Sequence, residues 1–149
     1  MFNPTFLAQE GWTHPHRHGT VRDVVVHSAS EGTAVVVRPQ DNLRTVFARM
    51  RSADVSQLPV VDEAGRVVGL VDESDVLAAL LTEHDSVKAF ARPVKDVMVT
   101  RLETISADAL VADLVPLFRK DYVAIVMDGD QFLGLATRLD LINYFRITP

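Results

Sequence analysis

Gly69-Leu70-Val71-Asp72-Glu73-Ser74-Asp75-Val76-Leu77 returns 65 residues later as Gly134-Leu135-Ala136-Thr137-Arg138-Leu139-Asp140-Leu141-Ile142. In each copy a glycine and two apolar residues lead, three further residues intervene, and an aspartate precedes a return to apolar residues. That grammar reads as a strand running into the first turn of a helix. Working outward, Val21–Val26 (VRDVVV) returns 73 residues on as Val94–Val99 (VKDVMV). Asp41-Asn42-Leu43 returns as Asp108-Ala109-Leu110, and Val60-Val61-Asp62 as Val126-Met127-Asp128. The offset shrinks from 73 to 65 along the chain, so loops change length while one supersecondary unit is used twice.

Each copy predicts the same elements. A β-branched strand comes first, Thr33–Val37 or Leu102–Ile105. The helix that follows places Leu43, Val46, Phe47 and Met50 on one buried face, and its counterpart uses Leu110, Leu114, Leu117 and Phe118. Asp41 or Ser106 serves as N-cap, and Pro116 predicts a kink or an early end to the second of these helices. A hairpin then pairs Leu58–Val61 with Val67–Val71 over Glu63-Ala64-Gly65, and Val123–Met127 with Phe132–Ala136 over Gly129-Asp130. The last helix buries Val76, Leu77 and Leu80, or Leu141, Ile142 and Phe145.

The predicted fold class is therefore α/β (α+β): two β-α-β-β-α repeats packed sheet to sheet with pseudo-twofold symmetry, since one such unit is too small to be stable alone. The expected divisions are an N-terminal arm over 1–19, a first repeat over 20–82, a linker over 83–93 and a second repeat over 94–149. Glu83 and Asp85 read as a solvated face of that linker.

Composition narrows the function. The 149 residues are 48% hydrophobic and 23% charged, as in a soluble globular protein, and are too few for most two-domain cofactor enzymes. Net charge is −5, with no basic stripe of the kind duplex nucleic acid requires, so no nucleic-acid partner is expected. Without cysteine there is no disulfide, thiolate metal site or cysteine nucleophile, which fits a reducing compartment. The longest apolar run, Val76–Leu81, is six residues, far short of the ~18 needed to cross a bilayer. Met1–Gly19 lacks the pattern of a signal peptide. The expectation is a cytoplasmic protein without membrane contact.

His14, His16 and His18 alternate and would share one face of a strand, but no acidic or cysteine partner stands nearby. They read as part of an arm anchored by Phe6 and Trp12, and no metal site is expected. No nucleophile–base pair or pair of catalytic carboxylates is evident, so no catalytic residue is assigned and the chain is not expected to be an enzyme.

Two stretches carry a family resemblance: Val55-Ser56-Gln57-Leu58-Pro59-Val60-Val61-Asp62, and Gly134–Leu141 with its counterpart in the first repeat. From about Thr20 to Arg146 the chain resembles a tandem pair of CBS domains, a Bateman module. More finely, Gly134–Arg146 (GLATRLDLINYFR), with Thr20–Val25 (TVRDVV) ahead of the first repeat, resembles the C-terminal regulatory region of a bacterial cystathionine β-synthase. That resemblance implies a pyridoxal-phosphate (PLP) catalytic domain as partner, in cis or in trans. No glycine-rich phosphate loop or Schiff-base context surrounds Lys88, Lys95 or Lys120, so no cofactor is expected in this chain.

The family resemblance also implies an effector, S-adenosylmethionine or AMP, ADP or ATP, held in clefts between the repeats. Carried onto this sequence, Thr137 and Asp140 form the polar half of one ligand-binding site, and Val35, Val55, Ser56, Gln57 and Leu58 its adenine-facing half. The second site would use Asp75 with Tyr122, Val123 and Ala124. A carboxylate suits vicinal ribose hydroxyls, a hydroxyl and free amides at a helix N-terminus suit a phosphate, and adenine suits an apolar slot. The sequence departs from the family at Asp72, which stands where the hydroxyl residue belongs and would repel phosphate. The expected consequence is asymmetry, with the Asp75 site the weaker.

A serine or threonine three residues before an acid is also a plain capping box, so the bland reading stands beside the functional one. Leu77, Leu80, Leu81 and Phe145 suggest a self-associating surface and hence a homodimer. The expected function is a non-catalytic regulatory module that modulates an attached or partner enzyme. The alternative is a structural dimerisation module with vestigial, ligand-free clefts.

Overall fold

The computed structural model describes residues 19–29, 35–120 and 122–147. In chain order the elements are α1 (Val21–Ala29), α2 (Leu43–Ala53), β1 (Gln57–Val61), β2 (Val67–Asp72), α3 (Glu73–Thr82), α4 (Ser86–Ala91), β3 (Thr104–Ser106), α5 (Leu114–Arg119), β4 (Ala124–Asp128), β5 (Gln131–Ala136) and α6 (Arg138–Ile147). Short 3-10 turns occupy Val94–Asp96 and Val111–Asp113. The strands form two small sheets, β1-β2 and β3-β4-β5, giving the mixed helix and strand content expected. The described residues divide into two compact units: Val35–Leu102, and α1 together with the chain from Glu103 onward.

In the unit Val35–Leu102, β1 and β2 pair antiparallel from Gln57↔Asp72 to Val61↔Val67, with a register shift at Val60/Val61. Asp62 builds the turn: its Oδ1 accepts the amides of Ala64 and Arg66, each at 2.9 Å. Its carboxyl is held below the usual carboxylate range, chiefly by the Arg66 amide. Gly65 takes φ +83°, a conformation that side chains resist. The core gathers Val37, Leu43, Val46, Met50, Leu58, Val60, Val71, Val76, Ala79 and Val94.

Several expectations are corrected here. The predicted first strand over 33–37 is represented among described residues by one parallel bridge, Val37↔Val60. Phe47 is 43% exposed, because Leu43, Val46 and Met50 alone fill the helix face over a two-stranded sheet. Leu77 is 55% exposed: it lies about 100° around α3 from Val76, while Ala79 takes the inward position. The N-cap of α2 is Asn42, whose Oδ1 accepts the Thr45 amide at 2.9 Å. Asp41 instead accepts the Arg38 amide at 2.8 Å and the Arg49 guanidinium at 3.1 Å. The predicted linker contains a helix, α4, capped by Asp85 and seated by the fully buried Ala89.

In the other unit β3 runs parallel to β4, and β4 antiparallel to β5. Helix α1 packs Val21, Val24 and Val25 among Ala107, Val111, Leu114, Phe118, Ala124, Val126, Ala136 and Tyr144. The Val21 and Arg22 amides donate to the Ala109 and Ala107 carbonyls, both at 2.9 Å. The Arg22 guanidinium reaches Asp108 and Asp128, each at 3.3 Å.

Residues 94–99 make the converse choice. The Val99 amide donates to Leu70 at 2.8 Å, so the opening segment of each sequence repeat packs with the strands of the other. The compact units therefore cut across the divisions 20–82 and 94–149.

Here too details differ from expectation. β3 begins at Thr104, two residues later than predicted. The helix interruption precedes Pro116 as a 3-10 turn, and Pro116 sits in the first turn of α5, where no amide donor is needed. Leu110 is exposed, bridging Thr20, and Ser106 Oγ accepts the Asp108 amide at 3.1 Å at a strand end instead of capping a helix. On α6, Ile142 is exposed, Leu141 and Phe145 are half-buried, and Tyr144 takes the core position.

Candidate functional site

Each hairpin delivers the chain directly into a helix, and the two helix starts carry the polar residues singled out in the sequence. At the start of α6, the Thr137 amide and hydroxyl both donate to Asp140 Oδ2, at 2.9 and 3.0 Å. The Asp140 amide donates back to Thr137 Oγ1 at 3.2 Å. This is a reciprocal capping box. Among the described residues, nothing donates to Asp140 Oδ1, and both residues are half-buried. Arg138 donates to the Phe118 carbonyl and so ties this helix start to the end of α5.

At the start of α3 the box is built from two acids. The Asp72 amide donates to Asp75 Oδ2 and the Asp75 amide to Asp72 Oδ1, both at 2.9 Å. Burial pushes the Asp75 carboxyl above its usual range. The bond from the Asp72 amide pulls the other way, and the Asp72 charge adds to the rise. A hydroxyl both donates and accepts, as Thr137 does, whereas an ionised Asp72 only accepts. The two helix starts thus share a backbone arrangement and differ in charge.

The residues of each expected site are divided between the two units. Thr137, Asp140, Tyr122, Val123 and Ala124 belong to one; Val35, Val55, Ser56, Gln57, Leu58 and Asp75 belong to the other. Within a unit, the structure brings each helix start beside the strand entry of its own repeat. Gln57 pairs with Asp72, and the Ser56 carbonyl accepts the Glu73 amide at 3.1 Å. Ala124 pairs with Ala136, the residue before Thr137. Leu58 and Ala124 commit their side chains to the cores, which leaves only their backbone groups for recognition, whereas Val55 is exposed. The Arg138 tether was not read from sequence, because its acceptor is a main-chain oxygen twenty residues away that leaves no trace in residue type.

Among the described residues no group of three or more His, Asp or Glu side chains could hold a metal ion, and no helix is long and apolar enough to cross a membrane. His14, His16, His18, Phe6 and Trp12 lie outside the described residues.

Comparison with known proteins agrees with this architecture. The sequence model of the CBS domain matches residues 21–82 and 94–147. An inosine-5'-monophosphate dehydrogenase of Methanocaldococcus jannaschii is 26% identical over 136 residues, covering 86% of this chain and 26% of that protein. The chain spans about a third or less of the length of the curated relatives it matches. The crystal structure of the CBS domain of a CBS-domain-containing membrane protein from Sphaerobacter thermophilus superposes with a TM-score of 0.73 at 20% identity, covering 94% of this chain and 96% of that one. CBSX2, crystallised in complex with AMP, gives a TM-score of 0.73 at 21% identity, covering 88% of this chain and 99% of that one. The comparisons support the tandem pair; the finer likeness to a cystathionine β-synthase regulatory region is not among what they show.

Proposed function

The chain belongs to the CBS-domain family, and from that premise we propose that it binds an adenosyl nucleotide and uses it to regulate an enzyme to which it is attached or docked. CBS domains are regulatory, ligand-binding modules; CBS pairs are generally non-catalytic, often dimerise, and attach to enzymes such as inosine-5'-monophosphate dehydrogenase. The observation that carries the ligand reading is the Thr137–Asp140 box: one carboxylate oxygen organises the helix start while Asp140 Oδ1 is left to accept from a ribose hydroxyl. The AMP bound by a neighbour of the same fold supports the adenosyl class. Phosphate-bearing nucleotides fit the α6 start better than the α3 start, where Asp72 and Asp75 place two acids. S-adenosylmethionine is the other member of the class to be tested. A ligand regulates only by binding one arrangement of the protein more tightly than another.

The relative with an attached dehydrogenase supports an enzyme partner. A PLP enzyme, implied by the resemblance of residues 134–146, is one candidate. Exposed Leu77 and Leu81 on α3 support a homodimer.

The second reading, a scaffold whose clefts take no ligand, is favoured by the completeness of both capping boxes. Titration calorimetry with AMP, ATP and S-adenosylmethionine separates the two. Saturable heat from one of them, weakened roughly ten- to hundred-fold by Asp140→Ala, is the expected result, as for a lost charged hydrogen bond. No heat from any of the three would leave the scaffold.

A further inference from the structure

The outer surface of α2 and α4 carries a stacked array that the helix starts do not use and that meets the core only through the half-buried Phe90. Arg44 lies over the Phe90 ring at 5.5 Å, Phe90 lies 6.4 Å from Phe47 at a tilt of 46°, and Arg51 lies over Phe47 at 5.8 Å. Both guanidinium groups are within cation–π range. Phe47 is 43% exposed, and Val87, one turn before Phe90, is 67% exposed. Helix α2 holds three arginines and no acid. Arg49 is engaged by Asp41, but among the described residues no carboxylate lies within ion-pair distance of Arg44 or Arg51.

Arg44, Phe47 and Arg51 sit at i, i+3 and i+7, a stripe on one face with its charges about 10 Å apart along the helix axis. A guanidinium laid on a ring is held in orientation while its N–H edge stays free, and that edge matches a carboxylate two bonds at a time. Arginine and aromatic side chains together are the residues that dominate protein interfaces.

We propose that this stripe is a docking surface for an acidic helix of another protein, bearing carboxylates two turns apart with an apolar side chain between them. Charge complementarity selects the class. A second copy does not supply the match, because no helix among the described residues carries two carboxylates two turns apart. Nucleic acid is disfavoured because its charge extends beyond the patch onto a chain of net charge −5. The proposal involves no nucleotide, so it stands or falls apart from the ligand reading.

The test uses the full chain and a fluorescein-labelled helical peptide with the pattern Glu-x-x-Leu-x-x-x-Glu, the remaining positions alanine and glutamine. Anisotropy is expected to show saturable, salt-sensitive binding that drops about tenfold or more when Arg44→Glu and Arg51→Glu are combined. The Arg44→Lys, Arg51→Lys variant, which keeps charge without the fork, is expected to fall between. Circular dichroism confirms that the variants fold. Equal binding by wild type and the double Glu variant would overturn the proposal. So would tighter binding of a labelled single-stranded oligonucleotide, or a double Glu variant whose only change is loss of self-association in sedimentation.

Discussion

Asp72 and Asp75 each hold the other's backbone amide at 2.9 Å, so two carboxylates share one helix start. Burial, with the charge of Asp72 adding to it, makes the folded Asp75 carboxyl bind its proton more tightly than an unfolded one. Between the ordinary carboxylate range and that raised value the folded state holds more protons, so stability falls as pH rises through the window. Asp75→Asn should flatten that slope and leave stability at neutral pH unchanged or slightly higher, by under about 1 kcal/mol, since an amide oxygen still accepts the Asp72 N–H. Urea unfolding across the acid-to-neutral range measures it. A variant that keeps the wild-type slope would place its origin elsewhere.

The two helix starts predict an exchange experiment. Thr137→Asp copies Asp72 into α6 and sets a second carboxylate against Asp140. Calorimetry is expected to show loss of AMP and ATP binding, with circular dichroism unchanged, because the new acid repels phosphate. Asp75→Ala is expected to leave nucleotide affinity nearly intact. Equal losses at Asp75 and Asp140 would remove the asymmetry.

Gly69 lies under the Met98 side chain, whose sulfur a Cβ at Gly69 would strike. Gly69→Ala should cost about 1–3 kcal/mol as an overpacked contact. Combined with Met98→Ala it should cost less than the sum of the two single variants, as measured by chemical denaturation.

Val25 is buried in the core shared by α1, β4 and β5. Val25→Ala should cost about 2 kcal/mol and speed amide exchange in β4 and β5 before β1 and β2. The reverse order of exchange would mean that α1 supports the repeat in which it is encoded.

Leu81 is 75% exposed and Leu77 is one turn away on α3. If these residues hold a homodimer, Leu77→Lys with Leu81→Lys should elute as a monomer from a size-exclusion column on which the wild type runs as a dimer. A wild type that itself elutes as a monomer at micromolar concentration would remove the dimer.

The hairpins and the helices after them were legible because they rest on local rules: turn residues at Gly65 and Gly129, the return of Gly69–Leu77 as Gly134–Ile142, and Thr137 three residues ahead of Asp140. Errors arose where the deciding partner is remote. Nothing in 43–53 says that the sheet beneath has two strands and leaves Phe47 outside. Nothing near Val21 says that its amide partner is the Ala109 carbonyl. Asp85 looked like linker because a cap and a solvated acid share a residue type, and only the buried Ala89 distinguishes them. The chemistry of the helix starts was legible as a motif, but whether Asp140 faces its own turn depends on side-chain torsions that no spacing encodes.

The crossed allegiance of the opening segments has a consequence for synthesis on the ribosome. Residues 94–99 meet partners already made, so the unit Val35–Leu102 can close as soon as they emerge. Helix α1, translated earlier than either sheet, must wait for the last third of the chain with Val21, Val24 and Val25 uncovered. A premature stop after that first unit would therefore strand a greasy helix with no home, and deleting α1 would damage the sheet made long after it.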